Sequence, residues 1–164
     1  MVMSTYQGQS NESESNDTIA TANDASLGTP IAGQLATNAD LDVFKFVISA
    51  SGTVTLNFDS PIDNRFSEFF QLGWYDSNGV LLSLFETGVD QTYTVGAEAA
   101  GTYYAAVSAT QYYYDSGQYN LTVSHMAGSA DAFESESNDT IATANDASLG
   151  TPIAGQLATN ADLD

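Results

Sequence analysis

The chain has 164 residues, of which 21 are acidic and only two, Lys45 and Arg65, are basic, for a formal net charge of −19. Binding to nucleic acid or to an anionic membrane requires clustered Lys and Arg, so this charge argues against both kinds of partner. A disordered acidic chain is excluded too, because 43% of the residues are hydrophobic and nine tyrosines and eight phenylalanines are present.

One stretch of the sequence occurs twice. Glu12–Asp42 recurs without a change as Glu134–Asp164, an offset of 122 residues from position 12 to position 134. That period is the size of an independent domain and is longer than the ~20–50 residues of solenoid repeats. We therefore predict a tandem array. Its parts are a flexible lead-in over 1–11, a complete domain over 12–125, a linker over 126–133 and the first quarter of an identical repeat over 134–164.

Short apolar runs separated by turn residues follow the first acidic stretch, and they alternate as strands do. In the first run, for example, Phe44, Phe46 and Ile48 share one face. Only 19–25 has any helical character. Seven or eight short strands within ~110 residues are typical of an antiparallel, jelly-roll-like β-sandwich, so the predicted fold class is all-β. The predicted strands cover 42–49, 53–58, 68–75, 80–86, 92–96, 102–110 and 119–125.

The duplicated stretch opens on the acidic heptapeptide ESESNDT. In an extended segment Glu12, Glu14 and Asn16 point to the same side, with Asp17 beside them. Carboxylates this close repel one another, and a hard cation that takes six to eight oxygens reverses that effect. Ca²⁺ tolerates irregular ligand geometry better than Mg²⁺. The alternative is a solvated linker in which Asn16 or Asp17 caps a turn.

A second oxygen-rich cluster, NADLD, precedes the first strong strand. There Asp40 and Asp42 share a face opposite Leu41. Neither cluster has the spacing of an EF-hand loop, so spacing suggests a metal without establishing one. An ordinary surface turn is the alternative interpretation of this second cluster.

Five motifs in chain order carry a family resemblance: ESESNDT, then GQL at 33–35, DLDVFKF at 40–46, AGTYYAAV at 100–107 and SGQYNLTV at 116–123. Together they resemble the bacterial pre-peptidase C-terminal domain, over about 12–124. That family usually has proline where Ser15 and Ser137 stand, so we expect a more flexible segment here. The resemblance implies a β-sandwich appended to secreted proteases or repeated in large surface proteins, and therefore an extracellular location.

The same resemblance implies a calcium site. Some relatives, including clostridial collagen-binding domains, bind calcium with the N-terminal acidic segment and the D-x-D region. The matching positions in the first copy are Glu12, Glu14, Asn16, Asp17, Asp40 and Asp42, and those in the second copy are Glu134, Glu136, Asn138, Asp139, Asp162 and Asp164.

Other candidate sites are fewer. The run Tyr112–Tyr114 lies in a predicted loop and is a candidate surface for a glycan or a protein, unless these rings belong to the core or cap a sheet edge. The only histidine, His125, is expected to be exposed at a strand end, and no G-x-S-x-G motif accompanies it. We therefore predict no enzyme. Cysteine is absent and no run of ~18 apolar residues exists, so neither disulfides nor a membrane span is expected.

These observations favour a calcium-stabilised repeat module of a bacterial extracellular adhesin or fibre protein. The alternative is a ligand-binding accessory domain of a secreted hydrolase. A third hypothesis concerns assembly, since 134–164 is too short to bury its own core and duplicates the segment beside the sandwich of Val43–Ser124. If segment 134–164 of one chain took the place of segment 12–42 on the sandwich of another chain, the chains would be joined head to tail. In the alternative case the segment packs within its own chain or stays loose.

Overall fold

The fold was determined from a computed structural model of the chain, which describes residues 10–128, 133–134, 138–150 and 152–155. The described elements are a 3₁₀ turn at Ile19–Thr21 and the strands β1 Asn23–Asp24, β2 Ile31–Gly33, β3 Leu41–Ile48, β4 Gly52–Asp59, β5 Phe70–Tyr75, β6 Leu81–Thr87, β7 Gln91–Ala97, β8 Gly101–Ala109 and β9 Tyr119–Ala127. They form a five-stranded sheet in the order β1-β3-β8-β5-β6 and a four-stranded sheet in the order β2-β9-β4-β7. Only β1 and β3 pair in parallel among these named strands, so this part of the chain is the antiparallel β-sandwich that the sequence predicts.

The core lies between the two sheets and follows the alternation of the strands. On β3 the Phe44 side chain is fully buried, whereas Val47, on the other face, is 64% exposed. The Phe58 ring on β4 lies 5.1 Å from that of Phe70 on β5 and 5.3 Å from that of Tyr119 on β9, so one aromatic cluster joins both sheets. Burying each side chain of this size contributes about 1.5–3 kcal/mol to folding.

The alternation predicts seven of the nine strands to within two residues at each end. The two that it misses, β1 and β2, have only two and three residues, too few to show a period. The helical character of 19–25 is realised only as the single turn Ile19–Thr21, because Asn23 already pairs with Phe44. No helix among the described residues has the length and apolar character needed to cross a membrane.

The acidic segment crosses the rim of the sandwich, where it is hydrogen-bonded to both sheets. The Glu12 N–H donates to the Ala32 carbonyl on β2 at 2.9 Å, and the Ala32 N–H donates to the Ser10 carbonyl at 3.0 Å. Four residues further on, the Val43 N–H on β3 donates to the Asn16 carbonyl at 3.1 Å. The acidic side chains are therefore held against the start of β3.

Candidate metal centre

Three of the predicted ligands meet at this rim. Glu12, Glu14 and Asp42 each offer a carboxylate oxygen, and these oxygens lie within 4.8 Å of one another. Oxygen ligands sit 2.3–2.6 Å from Ca²⁺, so two of them on one ion are at most about 5 Å apart. One calcium ion can therefore contact all three side chains.

A second acidic group adjoins the first and shares Glu14 with it. It consists of Glu14, Asp17 and Asp40, again with oxygens within 4.8 Å of one another. The Asp40 carboxylate is oriented by the Ala36 N–H at 2.5 Å and the Leu41 N–H at 3.0 Å. The structure thus brings all five predicted carboxylates of the first copy into two contiguous groups.

Asp42 and Glu12 each keep one buried oxygen without a hydrogen-bond partner among the described residues. Asp42 is 0% exposed, and its Oδ2 accepts a 2.6 Å bond from the Tyr119 hydroxyl while Oδ1 has no such partner. Glu12 Oε1 accepts a 2.6 Å bond from the Gln34 N–H, and its buried Oε2 has none. Leaving a charged oxygen buried and unpartnered costs several kcal/mol. Without metal, a proton on Glu12 that is shared with Asp42 reduces this cost, whereas a cation contacts both oxygens and leaves both carboxylates ionised.

Asn16 adds a neutral oxygen to the same site. The side chain of Asn16 is 0% exposed, and its Oδ1 has no hydrogen-bond partner. The backbone N–H of Asn16 donates to Glu14 Oε2 at 3.3 Å. The side-chain Nδ2 of Asn16 donates to Asn23 Oδ1 at 3.4 Å. An amide oxygen is an ordinary calcium ligand.

Asn23 positions the acidic segment, a role that sequence reasoning missed. Its Oδ1 accepts a 2.7 Å bond from the Ser13 N–H, and its Nδ2 donates to the Ser13 carbonyl at 3.0 Å. The residue lies in a polar stretch without a motif, so no signal in the sequence distinguishes it. Tyr119 is likewise predicted only as part of the strand over 119–125, although its hydroxyl orients Asp42.

The electrostatics of the site favour an external cation. Both basic side chains of the chain lie beside other carboxylates, Lys45 with Asp24 and Arg65 with Asp63. Burial raises the pKa of Glu12 to about 8, and the charge of Asp42 adds to that shift. Burial also raises the pKa of Asp42 to about 6, against the opposing hydrogen bond from Tyr119.

These two pKa values predict that calcium binding strengthens as the pH rises. The calcium-free folded protein holds more protons than the unfolded chain above about pH 4, so its stability falls as the pH rises to about 8. Calcium needs the ionised carboxylates and displaces these protons, so we expect an affinity at least about tenfold higher at about pH 8 than at about pH 6. Titration calorimetry measures the difference, with the exposed Glu68→Gln as a control that behaves like the wild type. Equal affinities at the two pH values would contradict the assignment.

The second copy repeats the local structure of the first. The Glu134 N–H donates to the Ala154 carbonyl at 3.0 Å, just as the Glu12 N–H donates to the equivalent Ala32 carbonyl on β2. Asn138 is buried, and its Nδ2 donates to Asn145 Oδ1 at 3.0 Å. Asp139 is described as well, but the predicted ligands Glu136, Asp162 and Asp164 lie outside the described residues.

The tyrosine run divides into exposed and structural residues. Tyr112 is 81% exposed, and the half-exposed Tyr113 ring lies 5.1 Å from that of Phe69. Tyr114 instead packs on the core and donates its hydroxyl to the Leu35 carbonyl at 2.9 Å. His125 is half-buried within β9, which continues to Ala127, and so it is not the exposed strand-end residue that we expect from the sequence.

Comparison with known proteins gives a likeness to solved structures. No family model matches the sequence, and no curated protein matches it. Among solved structures, the chain is similar to the pre-peptidase C-terminal domain of a collagenase from Bacillus anthracis, with a TM-score of 0.49 and 20% identity. The alignment covers 62% of this chain and 93% of that domain. The neighbour belongs to the family that the five sequence motifs resemble, and the likeness concerns the fold alone.

Proposed function

We propose that the chain is a non-catalytic, calcium-stabilised repeat module of a bacterial extracellular adhesin or fibre protein. The observation that carries this proposal is the set of buried oxygens without hydrogen-bond partners on Glu12, Asn16 and Asp42. Two of these residues come from the acidic segment and the third from β3. A bound calcium ion would supply the positive charge that the site lacks and would tie the segment to the sandwich.

The repeat and its location are supported by other features. The identity of Glu12–Asp42 with Glu134–Asp164 favours an array, because a domain that occurs once needs no second copy. Extracellular modules bind calcium with a Kd of about 10⁻⁴–10⁻³ M, which suits a medium of millimolar calcium. The absence of cysteine leaves metal binding and core burial to stabilise an exported domain.

We extend the proposal to head-to-tail assembly, on the ground of an apolar face on the second copy. Leu27 packs against the core and Ala25 is buried, whereas their equivalents Leu149 and Ala147 are exposed. A sandwich equivalent to Val43–Ser124, supplied by another copy, would cover these side chains. Such a contact joins unlike surfaces and propagates as an open filament where its rotation does not close a ring.

A ligand-binding accessory domain of a secreted hydrolase is the second candidate function. The exposed ring of Tyr112 and the half-exposed ring of Tyr113, which lies tilted against that of Phe69, favour it. Exposed aromatic rings bind sugar faces or pack against a partner protein. A glycan or a surface protein would then contact the loop after β8, at the same end of the sandwich as the metal centre.

Titration calorimetry of the intact chain tests the leading proposal. After removal of metal with EGTA and exchange into metal-free buffer, we expect saturable binding of calcium with a Kd of about 10⁻⁴–10⁻³ M. We expect magnesium to bind at least about tenfold more weakly, because its small octahedral shell does not suit ligands spread along an irregular segment. The proposal fails if calcium gives no saturable heat, or if the two cations bind alike.

A further inference from the structure

The two copies differ at the residue that directly precedes their identical stretch. Asn11 precedes Glu12, whereas Phe133 precedes Glu134. Both residues make the same backbone pairing, Asn11 with Ala32 and Phe133 with Ala154, in parallel register. The position is therefore structurally equivalent, but only the second copy has a large apolar side chain there.

Phe133 lies directly over Gly96 of the preceding sandwich. Gly96 belongs to β7, and its neighbours Val95 and Ala97 are buried in the core, so the Gly96 position faces outward. A Cβ atom at Gly96 would lie 2.9 Å from Phe133 Cβ and 3.3 Å from its Cγ. Glycine is thus required for this close approach, and Phe133 is half-buried by it.

The contact extends beyond this pair. A cleft of about 260 Å³ is lined on one side by Leu82, Thr94, Gly96 and Tyr103, and on the other by Phe133 and Ala154. β6 and β7 are edge strands of their sheets, so this side of the sandwich has a free edge in each layer. Exposed edges are surfaces that proteins commonly cover with another segment.

We propose that Phe133 is the joint between consecutive repeats, and that it docks on Gly96 of the sandwich before it. The partner of this surface is the next copy of the repeat in the same chain. Because Glu134 follows Phe133 directly, docking places the acidic segment of the second copy beside β7 of the first domain. The joint uses an aromatic ring and a glycine rather than the calcium ligands, so it forms with or without calcium.

The charges around the cleft oppose docking. Asp76, Glu98 and Glu134 all line it, and like charges at a surface repel over a Debye length of about 10 Å at ~0.1 M salt. Docking through an apolar ring should therefore strengthen as salt rises.

Cysteine crosslinking tests the joint, and the chain contains no cysteine that would interfere. In the intact chain, Thr94→Cys with Ala154→Cys places one cysteine on each side of the cleft and keeps both Gly96 and Phe133. The control pairs Thr94→Cys with Gly128→Cys. Gly128 follows β9, on the far side of β4 from β7, so this pair is separated by at least about 10 Å, the spacing of two strand intervals. We expect at least about fivefold more intramolecular disulfide in the first pair. Equal yields, or none in either pair, would overturn the proposal.

A second measurement does not depend on a disulfide. Phe133→Asn gives the second copy the residue of the first, and spin labels on Val47→Cys and Leu149→Cys, both exposed, report the distance between the two parts. We expect a single narrow distance distribution with Phe133 in place and one at least about twofold broader in the Phe133→Asn variant. Added salt should narrow the distribution further when Phe133 is present. Equal widths with and without the substitution would overturn the joint.

Discussion

Asp42→Asn is expected to abolish the thermal stabilisation that calcium gives to the chain. For the wild type, calcium at about 100 times its Kd adds about 2.7 kcal/mol per independent site. In a domain of this size about 1 kcal/mol moves the melting temperature by about 4 °C, so the shift between EGTA and excess calcium should be about 10 °C. Asparagine keeps the shape of Asp42 but removes the buried charge that holds the ion. Differential scanning calorimetry in calcium and in EGTA measures the loss.

Without calcium the same substitution should act in the opposite direction. The asparagine would remove a buried charge that repels Glu12, and its amide oxygen can still accept the bond from Tyr119. The variant in EGTA should therefore melt no lower than the wild type. Asp59→Asn, at the exposed end of β4, is the matched control and should keep the calcium response. A variant at Asp42 that keeps the full calcium shift would refute the site.

Gly33→Ala is expected to destabilise the domain by about 3 kcal/mol and to weaken calcium binding as well. Its Cβ would overlap the Tyr119 hydroxyl and would lie 2.9 Å from Glu12 Oε2. The Tyr119 ring cannot withdraw, because it is fully buried and packs 5.3 Å from Phe58. Overpacking of this kind costs about 1–3 kcal/mol, and here it also displaces the two groups that frame Asp42.

Urea unfolding in EGTA measures the stability of this variant, and calorimetry measures its calcium affinity. Gly128→Ala is the control, because a Cβ there meets no atom within 4 Å. We expect that control to match the wild type in both measurements. If Gly33→Ala is as stable as the wild type, the close packing of β2 against Tyr119 and Glu12 is wrong.

The long strands could be predicted because burial imposes a period of two on them. Phe44, Phe46 and Ile48 show it on β3, and the same pattern recurs on β4 and β9. The short strands β1 and β2 depend instead on partners far along the chain, since Ile31 pairs with Leu121. Their hydrogen bonds form only once the distant partner strands are in place, and two or three residues are too few to show an alternation of buried and exposed side chains.

The ligands could be predicted more readily than their environment. Acidic spacing and the family motifs single out Glu12, Glu14 and Asp42. That Asp42 is fully buried follows only from the packing of Tyr119, which is 77 residues away in sequence. The role of Asn23 likewise depends on its hydrogen bond from the Ser13 backbone, and neither the composition nor the periodicity of the sequence predicts that contact.

The strand order has a mechanical consequence for a domain in a fibre. Asn11 pairs with Ala32, and Ala32 pairs with Asn120 near the start of β9, whereas β9 ends at Ala127, so the acidic segment joins the sandwich at the opposite end of β9 from its exit. Tension between Ser10 and Ala127 therefore acts first on the hydrogen bonds that hold the acidic segment. These bonds join Ser10 and Glu12 to Ala32. A calcium ion bound to both Glu12 and Asp42 would lie next to these bonds along the chain. It would have to dissociate before the force could separate the rest of the sheet.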